Sequence, residues 1–109
     1  SCANITGGGL EDNIKRVIPK GLVAEIDLNK IKTKKIFKWL KQNGIENKEM
    51  LKTFNCGIGL ILIISENHQK DVIGHLKKNR SKFWVMGKTV ENKKDSQIII
   101  ENYGKWVLK

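Results

Sequence analysis

The apolar positions of this chain change period several times, and each change marks an element. Ala3 to Ile5 reads as the tail of a strand, and Thr6 with three glycines follows it. Leu10, Ile14, Val17 and Ile18 then recur at helical spacing, so Leu10 to Ile18 predicts a short helix that Pro19 ends. Past Gly21 the period drops to two: Leu22, Ala24, Ile26 and Leu28 alternate as one face of a strand. Asn29 to Thr33 is a connection with Ile31 turned inward. Lys34 to Asn43 predicts an amphipathic helix with Ile36, Phe37, Trp39 and Leu40 on its apolar side, and Gly44 stops it. Trp39 is assigned to the core. Asn47 to Lys52 is a second short helix carrying Met50 and Leu51.

Ile58 to Ile64 is the most apolar run, and its continuity predicts a central strand buried on both faces. Gly57 and Gly59 at its start imply close approach of another backbone or a ligand. Ser65 suits the N-cap of a helix reaching about Asn79, with Val72, Ile73 and Leu76 inward and His68 and His75 near the surface. Phe83 to Val90 reads as a strand, Glu91 to Asp95 as a polar turn, and Gln97 to Glu101 as the returning strand. Lys105 to Leu108 adds a last strand after the Asn102-Tyr103-Gly104 turn. The expected class is α+β: a mixed, mostly antiparallel sheet with packed helices. There is no internal repeat and no low-complexity linker.

Composition changes the picture in three places. At 109 residues the chain is a single domain or subdomain. No apolar run approaches the length of a membrane helix, and the start is neither basic nor followed by a long apolar region, so no signal peptide is read. Ser1 replaces an initiator Met and lies almost inside a strand, which reads as a cut in a longer chain. The net charge is +10, but the excess is nearly all lysine, with Arg16 and Arg80 the two arginines. Arginine is the better bidentate reader of phosphate and guanine, so the lysines are read as solvated surface ahead of a nucleic-acid face. A small basic nucleic-acid-binding module stays as the alternative from another class. Cys2 and Cys56 lack metal-ligand spacing, so no metal site is expected. One disulfide is compatible with them; free thiols in a reducing cytoplasm are preferred.

The chemistry concentrates at Thr6-Gly7-Gly8-Gly9. Glycines let a backbone turn sharply and lie flat against a ligand, and a helix starting just after them points free N–H groups into the turn. Phosphate is the usual occupant, with the Thr6 hydroxyl as a further donor and Arg16 in reach if it folds back. A ligand-free strand-to-helix turn explains the same residues. Asn13 and Arg16 stand about one helical turn apart and share a face, either for ligand contact or to brace the loop. Neither histidine has a partner suited to catalysis, and Cys56 reads as a packed small residue.

Ala3-Asn4-Ile5-Thr6-Gly7-Gly8-Gly9-Leu10, with Asp12-Asn13-Ile14-Lys15-Arg16-Val17-Ile18-Pro19, resembles the A-H-I-T-G-G-G-L-x-E-N-I-P-R-V-L-P signature of phosphoribosylformylglycinamidine cyclo-ligase, also called AIR synthetase. The resemblance continues in order. Phe37-Lys38-Trp39-Leu40 is similar to the family's F-x-W-L. Glu49-Met50-Leu51-Lys52-Thr53-Phe54-Asn55-Cys56-Gly57-Ile58-Gly59 is similar to E-M-x-R-T-F-N-C-G-[IV]-G. Trp84-Val85-Met86-Gly87 is similar to a late [AW]-x-I-G strand. The chain departs from the family at Asn4 (His), Asp12 (Glu), Lys15 (Pro) and Lys52 (Arg), and no family motif is read after Val90.

The resemblance implies the later part of the family's C-terminal domain, without the N-terminal ATP-binding domain. For the full-length enzyme it implies purine biosynthesis: ATP-dependent closure of formylglycinamidine ribonucleotide to aminoimidazole ribonucleotide, with Mg²⁺, in a cytoplasmic homodimer. The fragment alone is expected to be inactive and to bind no cofactor. Thr6, Gly7, Gly8 and Gly9 would cradle substrate or phosphate; Asn13, Arg16, Thr53, Asn55 and Gly57 would border the same cleft. Glu49 would brace a loop rather than hold metal. No catalytic residue is assigned. Selenophosphate synthetase and thiamine-phosphate kinase, which share the two-domain plan, are the nearest alternatives.

Overall fold

The computed structural model describes residues 1–91 and 98–101. In chain order the elements are β1 (Cys2–Asn4), α1 (Gly9–Lys15), β2 (Leu22–Asp27), α2 (Lys35–Gln42), α3 (Asn47–Thr53), β3 (Leu60–Leu62), α4 (Gln69–Lys78), β4 (Gly87–Glu91) and β5 (Ile98–Glu101). Short 3₁₀ turns at Leu28–Lys30 and Glu66–His68 connect β2 to α2 and β3 to α4. The class is α+β, as the alternating periods predict. The strands form two sheets: an antiparallel pair β1-β3, and a mixed sheet ordered β4-β2-β5. β4 runs antiparallel to β2, and β5 runs parallel to it.

Two expectations about burial are corrected. The central strand is β2, hydrogen-bonded on both edges, and not Ile58 to Ile64. That run narrows to β3, which pairs only with β1 among the described residues. With side chains alternating across it, Ile61 turns inward while Leu60 and Leu62 stand 56% and 45% exposed. Trp39 is also not in the core: it is 56% exposed, and Ile36 is 54% exposed. The reason is helical geometry. Phe37 and Leu40, three positions apart, are the residues of α2 packed against the core, and Ile36 and Trp39 fall on the adjoining stripe.

Boundaries shift for local reasons. α1 stops at Lys15, and the next residues form a turn in which Val17 and Ile18 both donate to the Ile14 carbonyl. The Ser65 side chain makes no capping bond; a 3₁₀ turn intervenes before α4 begins at Gln69. Phe83 to Met86 is not strand, although Asp27 N–H still donates to the Met86 carbonyl at 2.9 Å. Val72, Ile73 and Leu76 are only half-buried, while His68 and His75 are exposed. The predicted turn beyond Glu91 and the strand Lys105 to Leu108 lie outside the described residues.

The core that positions the site gathers Leu10 and Ile14 of α1, Leu28, Met50 and Leu51 of α3, and Cys56, each 2% exposed or less. Burying a side chain of this size contributes about 1.5–3 kcal/mol. α1 and α3 therefore dock through their most buried residues, and the loops at their ends are carried together.

Candidate functional site

The site is built where β1 hands over to α1. Gly9 N–H donates to the Thr6 carbonyl at 3.1 Å and closes a tight turn. Gly8 sits at the N-cap position with φ 98°, and Gly9 has φ 66°, a region where a Cβ is strained. A Cβ on Gly9 would also collide with the Leu51 carbonyl at the end of α3. The glycine there is thus dictated by packing. Gly7 differs: its φ is not positive, and a Cβ added to it would meet nothing within 4 Å. Local structure does not require a glycine at position 7.

Asn13 is 5% exposed and points back beneath the turn. Its Nδ2 donates to the Gly9 carbonyl at 2.7 Å and reaches the Gly7 carbonyl at 3.5 Å. The turn is braced from below, and its upper side, with exposed Thr6 and Gly7, is left to solvent. Arg16 is exposed at the opposite end of α1, roughly 10 Å along the axis at 1.5 Å per residue. The structure does not bring Arg16 to the glycine turn. Glu11 and Asp12 occupy the first turn of α1, and Glu11 is paired with Lys15 at 2.9 Å.

The second loop follows α3. Thr53 Oγ1 donates to Glu49 Oε1 at 2.6 Å, so Glu49 braces the end of its own helix. Asn55 Oδ1 accepts from Gly57 N–H at 2.9 Å, and the Asn55 carbonyl accepts from Ile58 N–H at 3.0 Å. This tight turn forces Cys56 to φ 53°, with its side chain fully buried. Cys56 Sγ lies 3.5 Å from the Met50 carbonyl, and burial pushes its thiol up to about 12. A thiol held neutral is not a nucleophile. Cys2 is exposed, and both cysteines are free.

The two loops meet. Gly9 packs on Leu51 and Lys52, and Ile5 N–H donates to the Gly59 carbonyl at 2.9 Å. Thr6 to Gly9 and Thr53 to Gly57 therefore border one region, with Asn13 beneath the first loop. Backbone groups carry much of this junction: the Leu51 and Gly59 carbonyls are parts that a reading of side chains passes over. Gly59, inside the N-C-G-x-G run, was the available signal. Among the described residues, no three His, Cys, Asp or Glu side chains gather as a metal cage. No helix of the described residues is long and apolar enough to cross a membrane.

Comparison with known proteins places the chain in a family. Residues 1–100 match the family described as AIR synthase related protein, C-terminal domain. The trifunctional purine biosynthetic protein adenosine-3 of Chironomus tentans is 46% identical over 103 residues, covering 93% of this chain. The same stretch spans 7% of that relative's length. The chain belongs to the AIR synthase related C-terminal domain family.

Proposed function

We propose that this chain forms one wall of the substrate cleft of a phosphoribosylformylglycinamidine cyclo-ligase acting in purine synthesis. The observation that carries the reading is the docking of the Thr6–Gly9 turn on the end of α3. It sets the two motif loops side by side with their exposed rims facing outward. Family membership and the purine-biosynthetic relative give the chemistry.

In that reaction ATP phosphorylates the formyl oxygen of formylglycinamidine ribonucleotide. An amidine nitrogen attacks the activated carbon, phosphate departs with the oxygen, and the nitrogen's proton is lost as the ring closes. Positioning and charge stabilisation suffice for such steps. The residues here would bind and orient the ribonucleotide: Thr6 and the Gly7–Gly8 backbone on one side, Thr53, Asn55 and Gly57 on the other. Asn13 would keep the glycine turn rigid, and Arg16 would serve the rim farther along α1. ATP and Mg²⁺ would be held chiefly by the family's N-terminal domain, in a cytoplasmic homodimer.

The test is ATP turnover by the full-length protein carrying this segment. ATP cleavage that depends on formylglycinamidine ribonucleotide and yields aminoimidazole ribonucleotide is expected. Turnover that ignores this substrate, or that requires selenide instead, would contradict the reading.

A further inference from the structure

The outward stripe of α2 is apolar at its centre and basic at its margins. Ile36 and Trp39 are 54% and 56% exposed, and among the described residues they are the two large apolar side chains that a helix leaves exposed. They stand three positions apart, so they lie side by side, next to the Phe37–Leu40 stripe that packs on the core. Single exposed apolar residues are ordinary on a protein surface; an adjoining isoleucine and tryptophan make a patch.

Lys35 and Lys38 flank the pair. Both are exposed, and neither has an ion-pair partner among the described residues. The charge around them is of one sign along the chain: Leu28 to Ile45 contains six lysines and no aspartate or glutamate. The stripe is also presented on a fixed backbone. The Trp39 carbonyl accepts from the Asn43 N–H at 3.1 Å and from Asn43 Nδ2 at 2.8 Å, which closes the last turn of α2. Phe37 and Leu40 anchor the neighbouring stripe to the core. A partner therefore meets Trp39 without first having to order its helix.

Spacing and charge together define what covers the stripe. Anchors at i and i+3 match the a and d positions of a two-helix seam. There a second helix lays its own apolar stripe over them and sets its flanking charges against theirs. Lysines at the margin select carboxylates on the partner. A single-stranded nucleic acid fits less well: the stripe lies on a convex helix, offers one stacking ring, and carries no arginine.

We infer that the Ile36–Trp39 stripe of α2 is an interaction surface for an acidic amphipathic helix. Apolar side chains of that helix cover Ile36 and Trp39, and its carboxylates pair with Lys35 and Lys38. With one short seam the contact is small and of the transient class. It uses none of Thr6–Gly9, Asn13 or Thr53–Gly57, so it is independent of the substrate cleft.

The test is titration of the full-length protein carrying this segment with a fluorescein-labelled helical peptide, read by anisotropy. The peptide has leucines on one face and glutamates beside them; a second peptide has every glutamate replaced by lysine. Saturable binding of the acidic peptide, weakening as salt rises, is expected, with no saturable binding of the basic one. Ile36→Ser with Trp39→Ser should lower affinity by about tenfold or more. Lys35→Glu with Lys38→Glu should do the same and should confer binding of the basic peptide. Lys20→Gln with Lys70→Gln should leave affinity unchanged. Cooperative unfolding of each variant shows that binding is read on folded protein. Absence of saturable binding of the acidic peptide by the folded parent would overturn the inference. So would equal affinity for the two peptides, or an equal loss in the Lys20 and Lys70 variants. Binding of oligo(dT) in place of the acidic peptide, abolished by Ile36→Ser with Trp39→Ser, would assign the surface to nucleic acid and overturn it as well.

Discussion

Gly9 lies against the carbonyl of Leu51 so closely that a Cβ at position 9 would occupy the oxygen's space. This contact joins the end of β1, the start of α1 and the end of α3 at one point. It explains why two motifs more than forty residues apart act as one structural unit.

Gly9→Ala is therefore predicted to destabilise the chain by roughly 2–4 kcal/mol, since it adds left-handed strain to a backbone collision. Urea unfolding measures it. A loss under about 0.5 kcal/mol, ordinary for a surface change, would mean that the two loops are not docked.

Asn13→Ala removes the side-chain donor to the Gly9 carbonyl and with it the brace beneath the turn. A cost of about 0.5–1.5 kcal/mol is expected. In the full-length enzyme, substrate binding should weaken as the turn loosens. Equal stability and unchanged KM would show that the brace is dispensable.

The two cysteines should separate cleanly. Iodoacetamide at neutral pH is expected to modify exposed Cys2 in the folded chain and to reach Cys56 only after denaturation, as counted by intact mass. The pH sign follows from the same burial. The folded thiol titrates near 12 against an ordinary 9.0, so its contribution to stability is whole below pH 9 and is lost as pH rises from there towards 12. Two adducts on the native chain would contradict the buried placement.

Replacing Trp39 by Ser should change stability by less than about 1 kcal/mol, whereas Leu51→Ala should cost about 2–5 kcal/mol. Thermal unfolding of the two variants checks the correction to α2. Comparable losses would return Trp39 to the core.

Much of the fold was legible because local signals were strong. The Leu22–Ile26 alternation, the Gly44 stop and the Met50-Leu51 pair each marked an element that exists. The apolar run at Ile58–Ile64 misled because hydrophobicity reports what a strand could bury, and only pairing decides what it does bury. Trp39 misled for a similar reason: a wide apolar stripe on α2 holds more residues than the core contacts. At the site, the sequence located both loops but not their roles. A glycine required by packing (Gly9) and one that packing does not require (Gly7) are identical letters. Only the distance to Leu51 tells them apart.

That distinction supplies the most direct test of the central claim. Gly7→Ala, in the full-length enzyme, should leave thermal stability within about 0.5 kcal/mol of the parent, because an added Cβ has open space around it. Its kcat/KM for formylglycinamidine ribonucleotide should fall by about tenfold or more, because the substrate needs that space. Unchanged kcat/KM at unchanged stability would contradict the account and make the glycine turn a purely structural bend.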